Sequence, residues 1–257
     1  METIIVDRDD RGIVTVTLNR PHKKNAINGP MWTELFETFT NIGHDDSVHA
    51  MILTGAGGEF CSGADLSSPD DGEKHQLGRM HYFAQMALAL HHMPFPTIAK
   101  IDGVAAGAGL NLGLGCDLVV ASDRARFSEI FHRRGLAIDL GGSWLLPRLI
   151  GLHRAKELAF FADVISAEEA DRIGIVNRIV PHEKLDAFVD DWAARLADAP
   201  PLAIHLTKRM LTNSFSMSLD EALQYEGMAQ SVTIASDDVK EAFTAFFKKQ
   251  PPTFKGR

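Results

Sequence analysis

Short strand patterns alternate with helical patterns through the first two thirds of this chain, and helical patterns fill the rest. Residues 3–7 and 13–19 carry β-branched side chains at alternate positions on either side of a polar turn, which predicts a β-hairpin. A helical pattern follows from Pro30, and the apolar run AMILT at residues 50–54 predicts a short buried strand. The beginning is therefore predicted to be β-β-α-β, which is typical of an α/β fold.

The alternation continues through the middle of the chain. A helix is predicted to pass through His91 and to end before Pro94. Strands are predicted at residues 97–101 and 117–121, with a helix of small residues at 105–114 between them. The polar stretch at residues 67–73 follows a glycine-rich loop and is predicted to be a mobile surface loop.

The last third of the chain is predicted to be helical. The helical pattern sets in at about Leu152, Ser166 is placed as an N-cap, and almost every residue from Pro181 onward fits an amphipathic helix. The recurrence of strand, strand and helix before this region suits a solenoid-like spiral.

Charge and hydropathy limit the partners of the chain. Its 257 residues carry a formal net charge of −8, which disfavours a nucleic-acid surface because phosphate binding needs a concentrated basic footprint. No apolar run approaches the ~18 residues of a membrane span, and residues 1–11 lack the apolar segment of a signal peptide. We therefore expect a cytoplasmic protein that binds neither nucleic acid nor a membrane.

The cysteines and histidines predict no metal site. Cys61 and Cys116 are far apart, form no CxxC motif and are interpreted as reduced structural thiols. No HExxH motif is present, and His91 and His92 stand where a partly exposed helix end is expected.

Three common motifs of nucleotide binding and nucleophilic catalysis are incomplete. The glycines at residues 107–113 are spaced GxGxxxG rather than GxGxxG, which argues against a dinucleotide fold. The loop at residues 55–58 lacks the GK[ST] ending of a phosphate-binding loop. Ser62 and Ser143 lack a glycine at both flanking positions of a GxSxG elbow, so serine nucleophilic catalysis is not predicted.

Two segments of small residues, at 59–66 and 103–109, each run from a strand toward a helix. Small side chains let a ligand approach the main chain, and helix N-termini present unpaired N–H groups. This geometry suits a developing oxyanion. The alternative is that the small residues permit close packing of a helix on neighbouring strands.

These segments belong to a set of motifs that resembles the enoyl-CoA hydratase/isomerase (crotonase) family. The motifs occur in the family's order over nearly the whole chain: LNRP at 18–21, NAIN at 25–28, FCSGADL at 60–66, GVAAGAG at 103–109, DLGGS at 139–143 and PTFKGR at 252–257. The resemblance implies a spiral core of ββα turns that holds the acyl-CoA site over residues 1–195. It also implies a helical region over residues 196–257 that packs subunits into trimers, often paired into hexamers. Coenzyme A would then enter as part of the substrate, and no separate cofactor is expected.

The resemblance also assigns residues to roles. The main-chain N–H groups of Ala64 and Ala108 are expected to form an oxyanion hole for a thioester enolate. The residues expected to bind the coenzyme A moiety are Lys23, Ala26, Asp65, Leu66, Phe254 and Lys255, of which the last two would reach a ligand held by a neighbouring subunit. Lys24 is a further candidate near the phosphates, and ordinary solvated charge is the alternative for all three lysines.

The catalytic acids depart from the family's hydratase pattern, which has glutamates where this chain has Asn111 and Phe131. Neither an amide nor a phenyl ring can act as a general base. Glu129 is interpreted as a solvated acid in a loop. The alternative is that Glu129 partly substitutes for the missing base. Asp139 occupies the position of an aspartate in the family's isomerases, such as the dienoyl-CoA and ring-1,2-epoxyphenylacetyl-CoA isomerases.

Asp139 is therefore predicted to be the principal proton-transfer base, with a pKa raised by its apolar neighbours. The alternative is that it caps the helix that begins near Gly142. The predicted function is an acyl-CoA isomerase that shifts a double bond. Enoyl-CoA hydratase and a catalytically silent acyl-CoA-binding subunit are the alternatives, and loops such as residues 67–78 are expected to shape the acyl pocket.

Overall fold

The computed structural model describes residues 3–67 and 75–257. The loop predicted at residues 67–73 lies, apart from Ser67, outside these residues. The strands are β1 (Ile4–Arg8), β2 (Ile13–Leu18), β3 (Ala50–Gly55), β4 (Thr97–Ile101), β5 (Val104–Ala106), β6 (Leu118–Ser122), β7 (Arg126–Ser128), β8 (Ile165–Ser166) and β9 (Arg178–Val180). The helices are α1 (Gly29–Gly43), α2 (Gln76–His91), α3 (Ala108–Leu114), α4 (Gly142–Ile150), α5 (Leu152–Phe161), α6 (Ala167–Ile173), α7 (Leu185–Ala197), α8 (Pro201–Asn213), α9 (Leu219–Ile234) and α10 (Asp237–Lys248).

Among the described residues, six strands form one sheet in the order β1-β2-β3-β4-β6-β9. The predicted hairpin is confirmed, because β1 and β2 are antiparallel neighbours, and the other neighbours in this sheet are parallel. Alternate residues of β3 enter different cores: Met51 and Leu53 enter the larger core, whereas Ala50 and Ile52 pack in a smaller core that includes Val189 of α7. The central strands are therefore buried on both faces.

A second layer of strand pairing runs beside this sheet. Strands β5, β7 and β8 are paired in that order, and isolated parallel bridges join Ile27 to Ala64 and Cys61 to Ala105. Successive turns such as β4-β5-α3 and β6-β7-α4 thus contribute one strand to the large sheet, one to the small layer, and then a helix. The predicted strand-strand-helix recurrence is confirmed.

Local signals set several element boundaries. The side chain of Asn28 caps α1 by accepting a hydrogen bond from the N–H of Met31, and Ser166 caps α6 as predicted. The prediction of a helix over residues 105–114 is wrong in its first part, because Val104–Ala106 is strand β5 and α3 begins at Ala108. Alanine fills two of the three positions of β5 and has low strand propensity, and pairing with β7 stabilises the strand there.

The chain beyond β9 is almost entirely helical, as predicted. Lys208 of α8 ties this region to the core, because its Nζ donates to Asp117 Oδ2 at 2.7 Å and to the carbonyl of Phe95 at 2.9 Å. The division predicted at residue 195 falls within α7 and stays a prediction. In the described ranges, no helix combines the length and apolar character that crossing a membrane requires.

Candidate active site

The two segments of small residues lie side by side in the small layer. The N–H of Cys61 donates to the carbonyl of Val104 at 2.8 Å, and the N–H of Ala106 donates back to the carbonyl of Cys61 at 2.9 Å. Ala64 follows Cys61 by three residues, and Ala108 follows Ala106 by two. Pairing across successive ββα turns therefore brings the two predicted oxyanion donors to one place.

The N–H of Ala64 points away from its paired neighbour. Ile27 bonds to the carbonyl of Gly63 and to the N–H of Asp65, and because main-chain groups alternate along a strand, the N–H of Ala64 faces the opposite side. A Cβ on Gly63 would lie 2.9 Å from the carbonyl oxygen of Ala106 and 3.7 Å from the nitrogen of Ala108. Gly63, with φ of +101°, thus allows the close approach of the two segments.

Ala108 is the first residue of α3, so its N–H has no partner within the helix. The same helix carries Asn111, whose Nδ2 donates to the carbonyl of Asp139 at 3.0 Å. The helix that presents one predicted oxyanion donor is therefore bonded to the loop that carries the predicted base.

Asp139 is a half-buried carboxyl group in the loop before α4. Burial raises the pKa of Asp139 to about 6, as the sequence predicted. Within the described residues its Oδ1 is buried without a hydrogen-bond partner. The capping alternative is not supported, because Gly141 is the N-cap of α4 and no side chain bonds there.

The backbone next to Asp139 is strained. Leu140 has φ of +48°, a region that bulky side chains rarely adopt. Leu140 is also buried against the core, which holds it in this conformation. Strained residues of this kind are concentrated at functional sites.

The interpretation of Glu129 as a solvated loop acid is wrong, since only 1% of its surface is exposed. Its Oε2 lies 3.5 Å from Asn111 Nδ2, a long contact, and burial raises the pKa of Glu129 to about 8. Phe127, Ile130 and Phe131 lie close to Glu129 in the sequence, and this apolar neighbourhood is consistent with its burial. Its position gave a usable signal, because Glu129 follows β7 much as Ala108 follows β5 in the preceding turn.

Phe131 is buried beside the second segment, and its ring would lie 3.8 Å from a Cβ on Gly107. The hydratase-type glutamate positions are thus filled by this ring and by the amide of Asn111. Across the described ranges, no group of three His, Cys, Asp or Glu side chains is arranged to hold a metal ion.

An apolar cavity of about 440 Å³ is lined by Leu140 and Gly141, the two residues that follow Asp139 in the chain. Its apolar lining comes from α2, α4 and the strained loop, with Met80, Phe83, Leu88, Trp144, Leu145 and Leu140. The loop at residues 67–78, which was expected to shape the acyl pocket, lies mostly outside the described residues.

The predicted coenzyme contacts Lys23, Ala26, Asp65 and Leu66 lie around the first segment. The N–H of Ser62 donates to the carbonyl of Lys24, and its hydroxyl donates to the carbonyl of Lys23. Ala26 is buried, whereas Lys23 and Leu66 are exposed. The Asp65 carboxylate is bound within the chain, by Arg20 at 2.8 Å and by the N–H and hydroxyl of Ser67.

Phe254 and Lys255 lie in a C-terminal tail that folds back onto α10. The Asp238 carboxylate accepts hydrogen bonds from the N–H groups of Lys255 and Gly256 at 2.7 Å and 2.9 Å. Lys255 lines a groove with Phe95 and Pro201 that is separate from the cavity beside Leu140.

Comparison with known proteins identifies the family. The enoyl-CoA hydratase/isomerase family matches residues 8–257. A 1,2-epoxyphenylacetyl-CoA isomerase of Escherichia coli is 35% identical over 100% of both chains, and a protein of Rhodobacter capsulatus named probable enoyl-CoA hydratase is 36% identical over 96% of this chain and 95% of its own. The crystal structure of an enoyl-CoA hydratase from Bacillus anthracis superposes with a TM-score of 0.94 at 33% identity, covering 99% of this chain and 100% of its own.

The chain therefore belongs to the enoyl-CoA hydratase/isomerase family and has the crotonase fold, so the predicted family and fold class are confirmed. It is a crotonase-family acyl-CoA enzyme. Relatives named hydratase and relatives named isomerase are similar to it to nearly the same degree.

Proposed function

We propose that this enzyme is an enoyl-CoA isomerase, which moves a double bond along the acyl chain by proton transfer. In a 3-enoyl thioester, Asp139 accepts the proton from C2 as the C–H bond breaks. The released electron pair spreads over C2–C4 and the thioester oxygen as a dienolate. Asp139 then returns the proton to C4, which leaves the double bond between C2 and C3.

The observation that carries this proposal is the state of Asp139. An ordinary aspartate is too acidic to return a proton near neutrality, whereas a pKa of about 6 suits both acceptance and return. One carboxylate is enough for a shift between two carbons of one substrate. Asn111 and Phe131, at the hydratase glutamate positions, contribute no second base there.

The N–H groups of Ala64 and Ala108 are proposed to hold the thioester oxygen. Their convergence from neighbouring turns supports this role, and two donors aimed at one oxygen stabilise the negative charge that develops there. The apolar cavity beside Leu140, the residue after Asp139, would take the acyl chain. Lys23, Ala26, Asp65 and Leu66 would contact the coenzyme A moiety, which is part of the substrate, and no further cofactor is proposed.

Assembly into trimers or pairs of trimers is part of this proposal. Large apolar side chains on α10 are exposed in the single chain, with Phe243, Phe246 and Phe247 at 62%, 76% and 78%. Exposed apolar surface of this kind is typical of subunit contacts. Phe254 and Lys255 would reach the coenzyme A of a neighbouring subunit from the tail beside α10.

Enoyl-CoA hydratase is the alternative that a specific observation favours. Hydration needs one group to activate water and one to protonate the α-carbon, and buried Glu129 is a second carboxyl group near Asp139. The two reactions are separated by supplying 3-enoyl-CoA and 2-trans-enoyl-CoA in parallel and following the absorbance of the conjugated thioester.

The decisive variant is Asp139→Asn, which keeps the shape of the side chain but cannot take a proton. We expect the isomerisation rate to fall by about 10² to 10⁴-fold. Asp163→Asn is the matched control, because Asp163 is an exposed acid paired with Arg133 at the surface. A folded Asp139→Asn protein that isomerised at the wild-type rate would refute the proposed base. In the unaltered protein, hydration without isomerisation would establish the hydratase alternative, and binding without any turnover would establish the silent subunit.

The oxyanion assignment is tested in the same assay by Ala64→Pro, which deletes the N–H itself. Loss of one such donor costs about 10² to 10³-fold in rate. Ala64→Ser is the matched control, since it changes the exposed side chain and keeps the N–H. Equal rates for two proteins with native circular dichroism would contradict the assignment.

A further inference from the structure

Glu129 is the most buried carboxyl group of the site, and the proposed isomerisation leaves it without a role. Its Oε1 has no hydrogen-bond partner among the described residues, and its Oε2 has only the long contact with Asn111. Buried carboxyl groups with so few donors strongly disfavour the charged form. Glu129 is therefore expected to carry its proton through the neutral range.

The groups around Glu129 leave Asp139 as its main electrostatic neighbour. His132, Arg133 and Arg134 follow on the same 3-10 turn, but their side chains are exposed. From α3 comes the uncharged amide of Asn111. From the loop before α4 comes Asp139, whose negative charge adds to burial in raising the pKa of Glu129.

The two carboxyl groups lose their protons in a fixed order. Asp139 has a pKa of about 6, and Glu129, which is more deeply buried and faces the charge on Asp139, has a pKa of about 8. Between these values Asp139 is an anion while Glu129 is a neutral acid. The pair then carries a single negative charge.

We propose that Glu129 is a positioning residue that fixes the charge of this site: it remains a neutral acid while Asp139 acts as the anionic base, and loss of the Glu129 proton stops the reaction. This inference rests on the proposed function. During proton transfer the negative charge moves from Asp139 to the thioester oxygen, so the site holds one charge throughout. A second charge on Glu129, in the same apolar surroundings, opposes both the ionised Asp139 and the enolate.

The geometry gives Glu129 an indirect role. Only 1% of the surface of Glu129 is exposed, and the proposal has it act through the Asn111 amide and through its electric field rather than through contact with the substrate. The Asn111 Nδ2 that approaches Glu129 also donates to the carbonyl of Asp139 at 3.0 Å. A change in the charge of Glu129 is therefore transmitted to the Asp139 loop.

Glu129→Gln tests this role, because glutamine has nearly the same shape and is neutral at every pH. In the wild type, kcat should fall by about tenfold per pH unit above the Glu129 pKa of about 8. In the variant this alkaline limb should be absent, and the plateau should lie within about tenfold of the wild-type plateau. Glu37→Gln, a change on the exposed face of α1, should keep the wild-type profile. An unchanged limb in the glutamine variant, or a loss of about 100-fold at every pH, would overturn the proposal.

A second measurement needs no substrate and so separates this inference from the proposed function. Infrared difference spectra of the wild type between about pH 7 and about pH 10 should show the loss of a protonated carboxyl band, with a midpoint near the Glu129 pKa of about 8. The midpoint should move to lower pH in Asp139→Asn, because the opposing charge is gone. If no such band titrates, or if its midpoint is the same in Asp139→Asn, Glu129 does not have the assigned role, even where the glutamine variant fails to fold.

Discussion

Gly142→Ala should disturb the site without touching any group proposed to meet the substrate. A Cβ on Gly142 would lie 2.4 Å from Asn111 Nδ2 and 2.6 Å from Asn111 Oδ1, far closer than atoms in contact. Asn111 is 1% exposed and has no room to swing aside. Either the start of α4 or the Asn111 amide must therefore move. The N–H of Gly142 and the Nδ2 of Asn111 both donate to the carbonyl of Asp139, so either movement disturbs Asp139.

The cost can be worked from these contacts. Overpacking of a core costs about 1–3 kcal/mol, and loss of the hydrogen bond from Asn111 to Asp139 adds about 1 kcal/mol. Replacing glycine in a helix returns about 0.5–1 kcal/mol, so a net destabilisation of about 1–3 kcal/mol is expected. Because a shift of about 1 Å at a reacting group can cost about 100-fold in rate, kcat should fall by about that factor.

Urea unfolding and steady-state isomerisation measure the two effects. Gly227→Ala is the matched control, because Gly227 lies within α9 and an added Cβ there meets nothing within 4 Å. That variant should be slightly more stable than the wild type and equally active. If Gly142→Ala were as stable and as active as Gly227→Ala, the packing of Gly142 on Asn111 would not hold Asp139 in place.

Two further predictions concern the coenzyme side of the site and the chain end. Hydrogen bonds from Ser67 and the neighbouring Arg20 lower the pKa of Asp65 to about 2, so this group stabilises the fold above its ordinary pKa and loses that contribution as the pH falls toward about 2. Asp65→Asn should lower the free energy of unfolding by about 1–3 kcal/mol at neutral pH, as measured by urea unfolding. The loss of stability between neutral and acid pH should be smaller in this variant than in the wild type. An equal loss in the two proteins would exclude this role. Deletion of residues 251–257 should raise the dissociation constant for coenzyme A, measured by calorimetry. Lys255→Ala should give a smaller rise, because the main-chain hydrogen bonds from the tail to Asp238 remain. Unchanged affinity in an intact oligomer would count against a coenzyme role for the tail.

The sequence predicted those parts of the fold that local patterns determine. Alternating β-branched residues located the hairpin, and the side chain of Ser166 located the start of α6, because both signals act within a few residues. Residues 105 and 106 of β5 were predicted as helix because both are alanine, which favours helix, and the pairing that makes them a strand comes from β7, more than twenty positions further along.

The candidate site was predictable to the same extent. The two segments that carry the proposed main-chain donors can be read directly as motifs, and the apolar neighbours of Asp139 indicated its raised pKa. The interpretation of Glu129 was wrong although Ile130 and Phe131 follow it, because a charged loop residue is usually exposed and the amide that approaches Glu129 belongs to Asn111, 18 positions earlier. The left-handed backbone at Leu140 has no sequence signal, since nothing in a leucine favours it.

The location of the proposed oxyanion donors on the backbone has a consequence for how this protein can change. Any residue except proline at positions 64 and 108 supplies the same N–H, so nearly all substitutions there keep the donor. The proposed base, in contrast, is the side chain of Asp139, and the hydratase-type acid positions 111 and 131 hold an amide and a ring, so a change of side chain at any of these positions alters which protons can be transferred. If the proposed donors hold the enolate, most substitutions at these two positions keep its stabilisation, whereas substitutions of the acids change how the enolate is protonated. The two properties can evolve separately within one unchanged backbone.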